Sequence, residues 1–309
     1  MAEALLYLVF KDGGSLPFSR TKKNHTMTRK LFAGTRLFPL LAAFMLLCGT
    51  GQALAQTQQI RAFSHRGGRM EHDENTLYAF RKSWDAGYTG FETDVRMSAD
   101  GVLYIMHDHS LDRTTNGHGI LEEMNSSQID SLRTKQDHPI LRMDELARFF
   151  DGKDSLYVEW ELKSGPQYLY PRERLETYVE KVYQTVQTIR TRGSQFVFTS
   201  SDYRGLRYLQ EHHPEAELLL IIGQPLSDAT IATALTVGIH TLGCTMQGTS
   251  REMVAKAHKA GITVSLWPGQ SVEDFMLGAY LGADRMCTDV PIAVKQWVEA
   301  HAPWLNVKY

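Results

Sequence analysis

Several common signatures are missing from this chain of 309 residues, and each absence narrows the classes of protein that it can belong to. The chain has only three cysteines, and none of their spacings matches a metal-binding motif. Cys244 and Cys287 are predicted to be two buried thiols, with a disulfide as the alternative in an oxidising compartment. No GxGxxG motif follows the first β-type segment, and no internal repeat or low-complexity tract is present.

The chain also lacks a hydrophobic run long enough to span a membrane comfortably. Its longest apolar run, residues 37–47, follows a basic flank and precedes the small residues that end at Ala55. These three parts are typical of a secretory signal peptide. We therefore predict a signal peptide over 1–55, with Met1 and Met27 as the two alternative starts of translation, cleavage near Ala55 and a secreted or periplasmic mature chain. An uncleaved amino-terminal anchor is the alternative.

An excess of basic residues is missing as well. Residues 56–309 carry 26 basic and 33 acidic side chains, a net charge of −7. General nucleic-acid binding needs a basic face, so the composition argues against it. A single phosphate group in a locally basic pocket remains compatible with this charge. Neither a nucleic-acid partner nor a stable membrane span is predicted for the mature chain.

What the chain does contain is a regular alternation of short β-type segments and amphipathic helical ones. The β-type segments are near 61–66, 90–95, 156–162, 195–199, 217–222, 240–245, 262–267 and 284–288. The helical segments are near 74–86, 172–191, 203–213, 228–237, 250–260 and 271–281. Eight such units in one domain, residues 56–309, predict a (β/α)8 TIM barrel, and a doubly wound open sheet is the alternative.

One segment breaks the alternation. Residues 102–106 follow the second strand after only a short SADG turn, whereas a parallel strand needs a crossover of a dozen or more residues. This segment must therefore form an antiparallel hairpin with the second strand. Pairing 97 with 102 would bring His107 beside Glu92, within a register error of about two residues. The polar segment that follows, about 109–140, is predicted to be a small insertion near the mouth of the barrel.

Polar side chains gather at the predicted carboxyl ends of the strands, where the active sites of such barrels lie. They are His65, Arg66, Glu92, Asp94, Glu159, Glu161, Lys163, Trp267 and Asp289. Converging carboxylates are tolerable around a hard cation such as Ca²⁺ or Mg²⁺. Histidines can act as general acid and base, and arginine and lysine can bind a phosphate. This combination favours cleavage of a phosphoester. Glu159 is predicted to be structural, and Trp267 at a strand end is more often packing than binding.

The order and spacing of these motifs resemble the glycerophosphodiester phosphodiesterase family over nearly all of residues 60–300. The matching motifs are SHRG (64–67), ENTxxAF (74–80), FETDV (91–95), DGV (100–102), HDxxLDRTTNGxG (107–119), ELK (161–163) and CTDVP (287–291). The resemblance implies a metal-dependent enzyme that converts a glycerophosphodiester into glycerol 3-phosphate and an alcohol.

The resemblance also implies a role for each matching position. His65 and His107 correspond to the acid–base pair. Glu92, Asp94 and Glu161 correspond to the ligands of one divalent cation, Ca²⁺ or Mg²⁺. The substrate-binding positions of the family correspond to Arg66, Lys163 and Trp267.

Three alternatives to this activity follow from the same residues. A phospholipase D-like diesterase would act on a lysophospholipid or a sphingolipid headgroup. A non-catalytic phosphodiester-binding protein would be expected to lack a catalytic histidine or a metal ligand, and none is missing here. A barrel lyase or aldolase would need a lysine nucleophile, for which Lys163 is the only candidate.

Overall fold

The computed structural model describes residues 59–309. The predicted signal peptide, the alternative starts at Met1 and Met27 and the cleavage site near Ala55 lie outside the described residues. Within residues 59–309 no helix is long and apolar enough to cross a membrane.

Eight parallel strands form a closed barrel, which confirms the predicted fold. They are β1 (Ile60–His65), β2 (Gly90–Met97), β4 (Tyr157–Leu162), β5 (Gln195–Ser200), β6 (Glu217–Pro225), β7 (Thr241–Thr245), β8 (Thr263–Gly269) and β9 (Arg285–Thr288). The barrel closes because β1 pairs with both β2 and β9. All eight strands point the same way, so their carboxyl ends share one rim.

Helices follow most of the strands and cover the outside of the barrel. They are α1 (Leu77–Asp85), α2 (Ser126–Ile129), α3 (Met143–Phe150), α4 (Arg172–Gln187), α5 (Tyr203–His212), α6 (Asp228–Thr236), α7 (Arg251–Lys259), α8 (Val272–Leu281) and α9 (Pro291–His301). Six of them match the predicted helical segments. Ser250 and Ser271 cap α7 and α8 by accepting a backbone N–H, and Gly282 ends α8 at φ 89°.

Three helices of the structure, α2, α3 and α9, were not among the predicted helical segments, and α2 lies in the segment after the hairpin. Pro291 stands in the first turn of α9, where its missing N–H costs nothing, and this is a start signal that the sequence contained. Helix α3 buries Leu146 and Phe150, and Phe150 contacts Phe91 of β2 and Trp160 of β4. The helix therefore belongs to the barrel's outer layer rather than to the insertion.

The predicted hairpin is present, with a register that differs by one residue. Strand β3 (Leu103–Ile105) runs antiparallel to β2, and Met97 pairs with Leu103 rather than with residue 102. Leu103 and Ile105 both join the main core, which sets this register. The strand ends at Ile105, so His107 stands beyond the last paired residue and enters the site from a loop.

The segment after the hairpin, for which an insertion over about 109–140 was predicted, has an apolar cluster of its own. This second cluster consists of the buried side chains of Tyr104, Met106, Leu111, Leu121, Ile129 and Ile140. It rests on the hairpin, because Tyr104 and Met106 belong to both. The insertion is therefore held at the carboxyl rim by packing as well as by polar contacts.

The interior of the barrel is filled below the rim. Phe63, Tyr157, Val197, Leu219 and Cys287 form this layer. Cys244 and Cys287 are both buried and free, so the prediction of two thiols is confirmed and the disulfide alternative is not. A last short strand, β10 (Val307–Lys308), pairs with the first residues of β1.

Candidate active site

Three carboxylates from two neighbouring strands meet at the carboxyl rim. Glu92 and Asp94 alternate along β2, and Asp94 is paired in register with Glu161 of β4. One oxygen from each residue lies within 4.8 Å of the others. Glu92 Oε1 and Asp94 Oδ1 are buried and have no hydrogen-bond partner among the described residues. These oxygen-only, partly unsatisfied donors fit a hard divalent cation.

The electrostatics of this group of three carboxylates, Glu92, Asp94 and Glu161, also fit a cation. Burial and the neighbouring Asp94 raise the pKa of Glu92 well above its usual value. Burial acts in the same direction on Asp94, but Arg66 and Lys163 outweigh it and lower the pKa of Asp94. Without further positive charge the group therefore favours a proton on Glu92. A cation would replace that proton and let Glu92 ionise.

A second group of possible ligand atoms shares Glu92. His65, Glu92 and Cys287 also offer atoms within 4.8 Å of one another. Burial raises the pKa of the Cys287 thiol well above its usual value, so the thiolate that would bind a soft metal is disfavoured. Glu92, Asp94 and Glu161 therefore form a better metal site than His65, Glu92 and Cys287.

Two cationic side chains flank the carboxylates. Arg66 follows β1 in the left-handed region at φ 54°, and its Nε lies 3.1 Å from Asp94 Oδ2. Lys163 follows β4, and its Nζ donates to Glu161 Oε1 at 2.8 Å and lies 3.6 Å from Asp94 Oδ1. Asp94 also accepts a bond of 2.9 Å from Asn75 Nδ2. These contacts hold Asp94 in place between the positive charges of Arg66 and Lys163.

His65 is oriented by a buried carboxylate. Its Nδ1 is hydrogen-bonded to Oδ1 of Asp289, which follows β9, and its Nε2 lies 3.6 Å from Glu92 Oε2. Arg69 donates to the other oxygen of Asp289 at 2.8 Å. Burial lowers the pKa of His65 although Asp289 acts to raise it. Because Asp289 occupies Nδ1, Nε2 is the ring nitrogen that faces Glu92 and the other two carboxylates at the rim.

His107, in the loop after β3, is likewise oriented by a carboxylate on its Nδ1. Its Nδ1 is hydrogen-bonded to Asp108 Oδ1, and Arg113 donates to the second oxygen of Asp108. Burial lowers the pKa of His107, whereas the charge of Asp94 acts to raise it. Arg96 holds the backbone of this loop by donating to the His107 carbonyl at 2.6 Å. Each of the two histidines is therefore anchored through Nδ1 with Nε2 left available.

Glu159 lies one step below Glu161 on β4 and is buried. Its carboxylate accepts a hydrogen bond from the hydroxyl of Tyr157, and burial raises its pKa to about 7 although Arg285 acts to lower it. The hydrogen-bond partner of Glu159 is thus Tyr157, and Arg285 acts on it through its positive charge. Trp267 packs against the interior layer of the barrel, and its indole Nε1 is buried and has no hydrogen-bond partner within residues 59–309.

Three other histidines have contacts with residues outside this cluster. His72 packs edge-on against Tyr78, His118 is exposed and paired with Asp112, and His213 stacks on Tyr183. No role was predicted for Asp289, Asp108, Glu74 or Asn75. Asp289 stands directly after a predicted strand, which was a usable signal. The other three are motif residues that lie in loops, where spacing alone does not give the direction of a side chain.

The glycerophosphoryl diester phosphodiesterase family matches residues 65–293. The chain is 27% identical to a glycerophosphodiester phosphodiesterase of Caldanaerobacter subterraneus over 74% of this chain and 93% of that protein. It is 39% identical to human glycerophosphodiester phosphodiesterase 1, but over only 33% of this chain and 32% of the human protein.

Two solved structures share the fold. One is a phosphodiester hydrolase of this type from Silicibacter pomeroyi, with a TM-score of 0.71 and 23% identity over 79% of this chain and 94% of that one. The other is an Oleispira antarctica phosphodiesterase in complex with its product sn-glycerol-3-phosphate, with a TM-score of 0.69 and 19% identity over 77% of this chain and 96% of that one. At these identities the two structures support the barrel fold alone.

Proposed function

This chain belongs to the glycerophosphoryl diester phosphodiesterase family, and on that premise we propose that it hydrolyses glycerophosphodiesters to glycerol 3-phosphate and an alcohol. One observation carries the proposal. Two histidines, His65 and His107, are each held through Nδ1 by a carboxylate and reach the rim that carries the carboxylate group of Glu92, Asp94 and Glu161.

The two histidines supply the proton transfers. One Nε2 takes a proton from the nucleophile, either water or the 2-hydroxyl of the glycerol, as a new bond to phosphorus forms. The bond from phosphorus to the alcohol oxygen breaks, and the second Nε2 gives its proton to that oxygen. If the hydroxyl attacks, the product is a cyclic phosphate, which water then opens with the two histidines in exchanged roles.

The phosphate would be held by the cationic side chains beside the carboxylates. Arg66 and Lys163 are both largely buried, and both already carry carboxylate partners. Burial lowers the pKa of Lys163, but Glu161 and Asp94 outweigh that effect and raise it, so the ammonium stays charged. Fixed positive charge at this rim stabilises the charge that develops on the phosphoryl oxygens. Trp267 is proposed as an apolar contact to the substrate.

Glu92, Asp94 and Glu161 would hold one divalent cation. Such a cation supplies Lewis-acid polarisation of a phosphoryl oxygen and neutralises the charge of the three side chains. Ca²⁺ and Mg²⁺ both accept carboxylate oxygens, and the short distance among the three oxygens supports either ion. We also propose that the mature enzyme is secreted or periplasmic, which rests on the signal-peptide pattern of residues 1–55.

One observation favours a second substrate class. Met70 lies in the loop after β1 and Tyr168 in the loop after β4, and their exposed fractions are 58% and 71%. Both loops leave the carboxyl ends of parallel strands, so two apolar side chains stand at the same rim as the histidines. They could contact an acyl chain, which makes a lysophospholipid the alternative substrate.

Product analysis tests both proposals. The chain from residue 56 onward would be incubated with glycerophosphocholine and with lysophosphatidylcholine, first with EDTA and then with Ca²⁺ or Mg²⁺ restored. Release of glycerol 3-phosphate from glycerophosphocholine, lost with EDTA and regained with metal, is expected. Choline release from lysophosphatidylcholine alone would favour the alternative. Binding of both substrates with no product at any metal concentration would contradict catalysis.

A further inference from the structure

Arg113, in the insertion after the hairpin, connects the two halves of the site. Its Nη1 and Nη2 donate to the two oxygens of Glu74 at 2.8 and 2.7 Å, and its Nε donates to Asp108. A guanidinium group is the only side chain whose planar fork can bind one carboxylate with two parallel bonds and a second carboxylate with the remaining N–H.

Each of these carboxylates has a second partner in the site. Glu74 accepts from Arg66 Nη1 at 3.1 Å, and Asp108 accepts from His107 Nδ1. A continuous chain of hydrogen bonds therefore runs from Arg66 through Glu74, Arg113 and Asp108 to His107. It joins the cationic side chain that faces Asp94 to the histidine beyond β3.

The positions of these groups explain why Arg113 is needed between them. The Glu74 side chain is only 11% exposed, so its charge requires close partners. Without Arg113, Glu74 would have Arg66 as its remaining partner and would compete with Asp94 for it. Asp108 would likewise lose the bond that fixes its second oxygen, and its hold on the His107 ring would loosen.

We propose that Arg113 is a positioning residue that sets Arg66 and His107 together, so that the insertion completes the site. This inference rests on the proposed function. Arg113 acts through Glu74 and Asp108 and does not touch the substrate. Because it supports one group predicted to bind phosphate and one predicted to move a proton, its loss should affect both KM and kcat.

The test compares Arg113→Ala with Arg133→Ala. Both arginines lie in the insertion, both side chains are 46% exposed and both carry an aspartate partner, but Arg133 pairs with Asp137 within the insertion. Wild type is assayed first, because absence of turnover there would reject the proposed function and not this inference. Arg113→Ala is expected to lower kcat/KM by about 10–100-fold, through both constants, with Arg133→Ala within about twofold of wild type.

Two further measurements separate positioning from folding. Added guanidinium ion is expected to restore part of the activity of Arg113→Ala and to leave Arg133→Ala unchanged. Arg113→Lys keeps the charge but not the fork, and is expected to retain wild-type thermal stability with an intermediate loss of kcat/KM. Equal activities for Arg113→Ala and Arg133→Ala would overturn the inference. So would full activity in Arg113→Lys, because the fork would then be unnecessary.

Discussion

Nδ1 of His65 is hydrogen-bonded to Oδ1 of Asp289, a residue that lies 224 positions later in the chain. Closure of the barrel makes this contact, because β1 pairs with β9 as well as with β2. The Asp289 side chain is fully buried, and its pKa is lowered by His65 and Arg69 although burial acts to raise it. The first and last barrel strands thus contribute one half of the site together.

Asp289→Asn should lower kcat strongly while leaving the fold intact. The amide removes the negative charge that stabilises the protonated ring and that holds the proton on Nδ1. Loss of the carboxylate that orients the histidine of a Ser-His-Asp triad costs about 10⁴ in kcat. Steady-state kinetics on glycerophosphocholine would measure this loss. Arg69→Ala serves as the control, since it removes the other partner of Asp289 and keeps the carboxylate on His65. Wild-type kcat in Asp289→Asn would contradict a role for this pair.

The two histidines should be equally necessary. His65→Ala and His107→Ala are each expected to lower turnover by at least ~10², because each removes one proton-transfer group. His118→Ala is the matched control, since that side chain also pairs with an aspartate but is 87% exposed and lies outside the cluster. Circular dichroism should show that all three variants fold. Near wild-type turnover in both His65→Ala and His107→Ala would reject the acid–base assignment.

Much of this arrangement could be predicted from the sequence, for definite reasons. The alternation of β and helical segments gave the barrel, and the short turn after β2 required an antiparallel hairpin. Glu92 and Asp94 share a face because side chains alternate along a strand. The register of the hairpin differs by one residue from the predicted one. Burial of Leu103 and Ile105 in the core sets this register, whereas the prediction relied on the length of the turn.

What could not be predicted were the partners that arrive through loops. Asp108 is adjacent to His107, but nothing in the sequence states that its side chain turns back onto the ring. The bidentate contact of Arg113 with Glu74 joins residues 39 apart through the insertion's own packing. Such contacts depend on the direction of individual side chains, which neither periodicity nor spacing encodes.

Divalent cation should stabilise the protein through Glu161. A ligand at about 100 times its Kd stabilises the native state by about 2.7 kcal/mol, so Ca²⁺ or Mg²⁺ should raise the Tm of the EDTA-treated protein. Glu161→Gln should abolish most of this rise. Glu159→Gln is the control, because Glu159 is on the same strand, is buried and pairs with Tyr157. Differential scanning fluorimetry would measure the shifts. An equal rise in Glu161→Gln and wild type would exclude Glu161 as a ligand.

Asp202 should make a pH-dependent contribution to stability. It caps α5 by accepting from the backbone N of Arg204, and it also accepts from the Arg204 side chain and from Ser164. Burial acts to raise its pKa, but Arg204 and Ser164 outweigh that effect and lower the pKa below the usual 3.8. A carboxyl whose folded pKa is lowered stabilises the protein above its unfolded pKa. That contribution is lost as the pH falls through the folded pKa.

The variant Asp202→Asn separates this charge from the cap itself. It should be less stable than wild type by about 1–2 kcal/mol at pH 7, since hydrogen bonds to a charged group become neutral ones. The difference should begin to shrink near pH 3.8, where the carboxyl of the unfolded chain takes up its proton, and it should fall further as the pH drops through the lower folded pKa of Asp202. Ser250→Ala removes the cap of α7, which does not ionise, so its deficit should be the same at every pH. Thermal melts from pH 3 to pH 7 would show both trends. A deficit in Asp202→Asn that stays constant over this range would mean that the cap acts through geometry alone.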